Sequence, residues 1–313
     1  MAKRAVLSLR RRLAAAVSDA VSTRARRALA REDRDRLARF ARLAPELAER
    51  HRALAGAAPA ATAPWSGYAA ELERALLPVP PSDFLRLPVV AATMLPHSTR
   101  ARRLQLEYLR GRRAGGELAR LLREDAVGDP VLVRPYPTSA NRVHVLAHVE
   151  RFAEATRVEP ASVASVVEWG GGYGALCRAW RLLGGATYTI LDLPIASCLQ
   201  WLFLASVLGE DAVVLHDAPG EPVLGLVNLM PADPSAPVSA DVFVSTWALS
   251  ESPPELQDAV AAGGFFGARH LLLAYRRDAR DFPGSAHFDT VALHAGAQVE
   301  PVLGYRASTY AFR

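Results

Sequence analysis

Residues 165–194 read SVVEWGGGYGALCRAWRLLGGATYTILDLP. β-Branched Val166 and Val167 favour a strand over 165–169, which runs into Gly170, Gly171, Gly172 and Gly174 and then into a helix expected over 173–183. Glycines belong where the backbone must turn sharply and where a ligand must come close. A second strand, 187–192, ends at Asp192, where a carboxylate can accept both ribose hydroxyls of an adenosine group. Leu193-Pro194 closes that strand and opens the next helix, because proline fixes its own φ and pushes its predecessor into extended backbone. The stretch reads as a nucleotide-binding turn with its ribose acid, and Leu193 joins the candidate contacts.

The kind of nucleotide follows from Glu168. Gly170-x-Gly172-x-x-Ala175 also satisfies a dinucleotide fingerprint, so an NAD-dependent oxidoreductase is the alternative enzyme. A diphosphate wants the helix N-terminus clear of negative charge. Glu168, two residues before the first glycine, suits a ligand with a cationic amino group instead.

Together Glu168, Gly170, Gly172, Gly174 and Asp192 resemble the S-adenosylmethionine site of the Rossmann-like, seven-stranded methyltransferases. EWGGGYGALCRAW, then YTILDLP, then DVFVSTWALSES (241–252) resembles the sugar O-methyltransferase family more narrowly, over about residues 135–313. The resemblance implies an α/β fold with helices on both sheet faces, S-adenosylmethionine as cofactor, and Ser245 and Thr246 beside the methyl group. It implies methyl transfer to a hydroxyl of a sugar or glycosylated small molecule. The Asp-Leu-Pro strand end is also similar to that of plant-type and polyketide O-methyltransferases. Their histidine base cannot be carried over, because Ser245-Thr246-Trp247 stands in its place.

Candidate bases are therefore sought nearby. Glu251 ranks first, in the loop after the 241–246 strand, and the role of a helix-capping acid competes with it. His144, His148 and His216 follow; the spacing of His144 and His148 would suit a metal pair, but no third ligand accompanies them and metal independence is expected. Arg142 and Trp247 are candidate acceptor contacts, the latter through its aromatic face.

Outward from this core, apolar runs at 212–216, 224–230, 241–246, 270–275, 299–305 and 308–312 read as strands, with helices at 194–208, 254–262 and 287–296. Helices are expected around 68–77, over 82–95 with a break near Pro88, over 98–112 and 117–123, and from Ser139 or Asn141 to about 155. The organisation expected is a basic helical arm (1–54), an Ala/Pro linker (55–64), a helical lid or dimerisation region (65–160) and a cofactor domain (161–313).

The chain has 313 residues, ordinary globular composition and a net charge of +5. That charge is uneven: residues 1–52 hold 15 Lys/Arg against 6 Asp/Glu. The arm is expected to pack on the body or on a second copy in a homo-oligomer, or to lie peripherally on an anionic inner membrane surface. Nucleic acid is not an expected partner, since no aromatic or base-clamping motif accompanies the arginines. Of 37 basic residues only Lys3 is a lysine, which excludes a P-loop, a pyridoxal Schiff base and a Tyr-x-x-x-Lys dyad. Two cysteines in apolar runs fit a reducing, cytoplasmic compartment. A non-catalytic assembly protein of methyltransferase-like fold is the remaining alternative.

Overall fold

The computed structural model describes residues 23–56, 65–277 and 284–313. The first part of the expected arm (1–22) and nearly all of the 55–64 linker therefore lie outside the described residues. A short antiparallel pair, β1 (Leu132–Val133) and β2 (Thr138–Ser139), precedes the main sheet and was not foreseen. The main sheet contains β3 (Ser165–Trp169), β4 (Thr187–Asp192), β5 (Val213–Leu215), β6 (Val227–Pro231), β7 (Val242–Thr246), β8 (His270–Arg276), β9 (Gln298–Pro301) and β10 (Ser308–Phe312).

Their order is β5-β6-β4-β3-β7-β8-β10-β9. From β5 to β8 every pairing is parallel, and β10 runs antiparallel to both β8 and β9. This is a Rossmann-like α/β sheet closed by a strand hairpin. It has eight strands where the resemblance implied seven, because the three-residue β5 adds an edge beyond β6. The chain reverses direction across the sheet between β4 and β7, on either side of β3, so the carboxyl ends of these strands open onto the crevice where such folds bind ligands.

Helix Pro194–Leu208 has proline in its first turn after extended Leu193, and Ile195 through Val207 are all buried. Helices Arg34–Leu43 and Leu47–Ala55 pack on its outer side while β4, β5 and β6 hold its inner side. That double cover explains why its sequence is apolar all round rather than amphipathic. Among the described residues no helix is long and apolar enough to cross a membrane.

A buried ionic cluster joins the helical half to the sheet half. Asp125 accepts from Arg36 at 2.7 Å, Arg142 at 2.7 Å and Arg178 at 3.1 Å, and Arg142 also reaches Glu124 at 3.0 Å. Burial alone would raise the Asp125 carboxyl, but the surrounding guanidinium groups outweigh it and hold the group below its ordinary value. Arg142, expected to touch the acceptor, is instead fully enclosed in this cluster, because its two acidic partners precede it in a loop that folds back over its helix. Asp125→Ala leaves buried arginine charge uncompensated and should cost about 3–5 kcal/mol of stability in urea unfolding.

Candidate active site

The glycine turn is built by close approach. Gly170 has φ +76, donates its N–H to Leu191 O at 2.9 Å, and a Cβ there would stand 2.1 Å from the Cβ of Ala248. No side chain fits, so the turn after β3 lies directly against the loop after β7. Asp192, at the end of β4, fastens the turn from the other side. Its Oδ2 accepts from Gly171 N–H at 2.9 Å and from Gln200 Nε2 at 2.6 Å, and its Oδ1 accepts from Leu193 N–H at 2.7 Å. Burial raises this carboxyl to about 6 against the pull of those donors.

A carboxylate offers about four lone-pair positions. Three are taken within the protein, and Gly172 N–H also faces the group. These donors fix the carboxylate, which is half-buried at the end of β4. Gln200, which also donates to Gly172 O at 3.0 Å, was visible in sequence only as the polar interruption of an apolar helix.

Glu168 is buried one residue inside the end of β3, where Tyr188 O–H donates to it at 2.9 Å. Burial raises its carboxyl to about 8; the Tyr188 hydrogen bond opposes the shift and nearby Asp192 adds to it.

After β7 the chain turns through Trp247, whose φ of +71 is a strained conformation for a non-glycine residue. Its N–H donates to Ala274 O at 2.6 Å. Glu251 follows, its N–H on Trp247 O at 3.1 Å and its own carbonyl accepting from Trp65 Nε1 at 3.3 Å. Fully buried Gln257 clamps both neighbours, donating to Ser250 O at 3.3 Å and Ser252 O at 2.8 Å. Burial raises the Glu251 carboxyl to about 7, with Arg276 opposing.

Ser245 is placed differently from expectation. Its hydroxyl donates to Trp169 O at 3.1 Å and accepts from Leu249 N–H at 3.0 Å, so it stitches β7 to the turn instead of facing a ligand. Gly174, with φ +95, starts helix Ala175–Leu183 against Leu204 and serves the packing of that helix.

His144 and His148 do come together, but each ring is saturated. The Gln105 side-chain amide faces His144 Nδ1 with its Nε2 at 3.0 Å and its Oε1 at 3.2 Å, and Nε2 also donates to Leu303 O at 3.2 Å. His148 Nε2 shares a hydrogen bond with His144 Nε2 at 3.1 Å, and His148 Nδ1 shares one with the Tyr310 hydroxyl at 2.6 Å. Every ring nitrogen of the pair is engaged, and burial drives both imidazoles well below their ordinary value, His144 to about 3. His144 therefore has no free nitrogen for an acceptor hydroxyl, and the pair forms a neutral wall on which Trp247 stacks at 5.5 Å. His216 faces Asn228 at 2.9 Å. Among the described residues no group of three or more His, Cys, Asp or Glu could hold a metal ion.

These parts surround one cavity of about 940 Å³. Glu168, Gly170, Gly171, Gly172, Asp192, Leu193, Thr246, Trp247, Glu251, His144 and His148 line it. So do residues that sequence reasoning missed, Trp65, Tyr68, Thr93, Met94 and Tyr305. A space of this size is at the upper end of small-molecule sites.

No protein-family model matches the chain, and no curated protein matches it. Solved structures resemble it distantly. PigF with SAH is 15% identical over 54% of this chain and 54% of its own, with a TM-score of 0.38. The mitomycin 7-O-methyltransferase is 17% identical over 80% and 68%, with a TM-score of 0.39. The magnesium protoporphyrin IX methyltransferase of Synechocystis PCC 6803 with bound SAH is 15% identical over 55% and 83%, with a TM-score of 0.39. The chain spans about half the length of PigF, and likenesses this distant assign no residue or ligand to it.

The raised Glu168 has a consequence for stability. Its folded value near 8 lies above the ordinary 4.5, so its contribution is complete below pH 4.5 and is lost as pH rises to about 8. Glu168→Gln, which keeps the bond from Tyr188, should raise the melting temperature of the ligand-free protein by several degrees at pH 8.5 and leave it unchanged at pH 4.

Proposed function

We propose that the chain is an S-adenosylmethionine-dependent O-methyltransferase acting on a hydroxyl of a sugar or glycosylated small molecule. The observation that carries the reading is the pairing of two acids, buried Glu168 and half-buried Asp192, on either side of a glycine turn that opens into a cavity ending at Glu251. The residues suit the cofactor. Gly170, Gly171 and Gly172 bring bare backbone to the cavity wall, and among the described residues no hydrogen bond or ion pair joins Glu168 to a guanidinium. Glu168 and the Gly170–Gly172 turn would hold the amino-acid end, and Asp192 with Leu193 the ribose. When bound, S-adenosylmethionine supplies a methyl group on a positively charged sulfur.

The protein's own work is alignment, exclusion of water and removal of one proton. Trp65, Trp247 and Tyr305 offer aromatic faces against which a sugar ring or aglycone can lie. Glu251 would take the proton of the acceptor hydroxyl as that oxygen received the methyl group, whose bond to sulfur would break to leave the neutral thioether S-adenosylhomocysteine. A carboxyl near 7 suits this task, being largely ionised just above neutrality and still basic enough to take the proton. Trp65 and Gln257 hold the backbone on which Glu251 sits.

Two measurements test this reading. Calorimetry should show S-adenosylhomocysteine binding to the protein and NAD not binding. Asp192→Ala should weaken the former by roughly tenfold or more; unchanged affinity, or NAD binding in its place, overturns the cofactor assignment. With an acceptor in hand, turnover should rise with pH through about 7 as Glu251 ionises. Glu251→Gln should remove that rise and slow turnover about a hundredfold or more.

A further inference from the structure

Among the described residues the wall of the cavity contains neither arginine nor lysine, although 37 of the 313 residues of the chain are basic. Carboxyl groups stand there instead. Glu168 and Asp192 flank the glycine turn, and Glu251 and Glu255 lie at the other end with the aromatic faces of Trp65, Trp247 and Tyr305. Arg276, whose charge opposes the rise of the Glu251 carboxyl, is exposed at the end of β8 and does not line the cavity. His144 and His148 do line it, but burial keeps both neutral, which leaves exposed His97 as the remaining basic side chain of the wall.

Backbone can receive an anion where side chains do not, since the start of a helix presents free N–H groups and a partial positive charge. Helix Pro254–Ala262 begins at the Glu251 end of the cavity, yet it offers little of either. Pro253 and Pro254 have no N–H, and the N–H groups of Leu256 and Gln257 both donate to Pro253 O, at 3.0 and 3.2 Å. Glu255 places a carboxylate in the first turn, where it meets the partial charge of the helix and repels a second anion. The Ser252 hydroxyl, also in the wall, gives its proton to Ala248 O at 3.0 Å. A phosphate entering here would lose its water and face carboxylates in return, a penalty that an uncharged compound does not bear.

We propose that the acceptor end of the cavity admits uncharged molecules and rejects anionic ones, so that the sugar arrives as a neutral glycoside and not as a sugar phosphate or a nucleotide-linked sugar. This names the acceptor class for the methyl transfer proposed above and rests on it.

The test is a fluorescence titration of the full chain at pH 8.5, where a Glu251 carboxyl near 7 is ionised. Two probes share one skeleton: N-phenyl-1-naphthylamine is uncharged, and 8-anilinonaphthalene-1-sulfonate adds a permanent negative charge. The wild-type protein should bind the uncharged probe about tenfold or more tightly than the sulfonate. The double substitution Glu251→Gln and Glu255→Gln should tighten sulfonate binding severalfold and leave the uncharged probe unchanged; sulfonate held by arginines elsewhere would not respond in this way. Equal affinities in the wild type, no binding of the uncharged probe, or a sulfonate affinity unmoved by the double substitution overturns the proposal. Calorimetry with S-adenosylhomocysteine separates this outcome from failure of the parent reading, because absence of that binding overturns the cofactor assignment whatever the probes show.

Discussion

The site depends on a single carboxylate. Asp192 ends β4, yet its hydrogen bonds reach the turn after β3, its own successor Leu193 and Gln200 two helical turns further on. It fixes the distance between the first two strands of the crevice and the direction in which the glycine N–H groups point. The same bonds that shape the turn consume most of its capacity as an acceptor, so structure and ligand binding compete for the same four lone pairs. Its neighbour Glu168 lacks such a set of donors. That difference separates two acids of one sheet by about two pH units, one near 6 and one near 8.

The turn, its two acids and the strand-helix order around them were legible from residues 165–194 because everything there is local. Proline at 194 and 254 and the strand ending at Phe312 set boundaries that coincide with the structure. The helices expected over 98–112 and from Ser139 or Asn141 to about 155 run Thr99–Arg112 and Ala140–Thr156, with Ser98 and Ser139 as N-caps whose side chains accept from Ala101 and Arg142 N–H. The eighth strand was present as an apolar run, and only the borrowed strand count hid it.

The acceptor end was not legible, for a physical reason. Trp65 meets Glu251 across 186 residues, and His148 meets Tyr310 across 162. No periodicity announces such pairs. Arg142 looked like a ligand contact because it stands near the motif, yet its acids lie seventeen and eighteen residues earlier in a loop without pattern. The histidine pair looked reactive for the same reason. Its rings turn out to be occupied by Gln105 and Tyr310, two residues that carry no signal of their own.

The doubly covered helix Pro194–Leu208 bears on how the molecule is made. Leu43, Leu47 and Leu54 bury themselves in the core to which that helix belongs, yet they leave the ribosome about 150 residues before it does. Until the helix arrives, these apolar faces lack that native surface, and closure of so long a loop is slow. Helices Arg34–Leu43 and Leu47–Ala55 are thus synthesised well before the helix they cover and find their place only after it. During that interval they are the segments most exposed to chaperones and to aggregation.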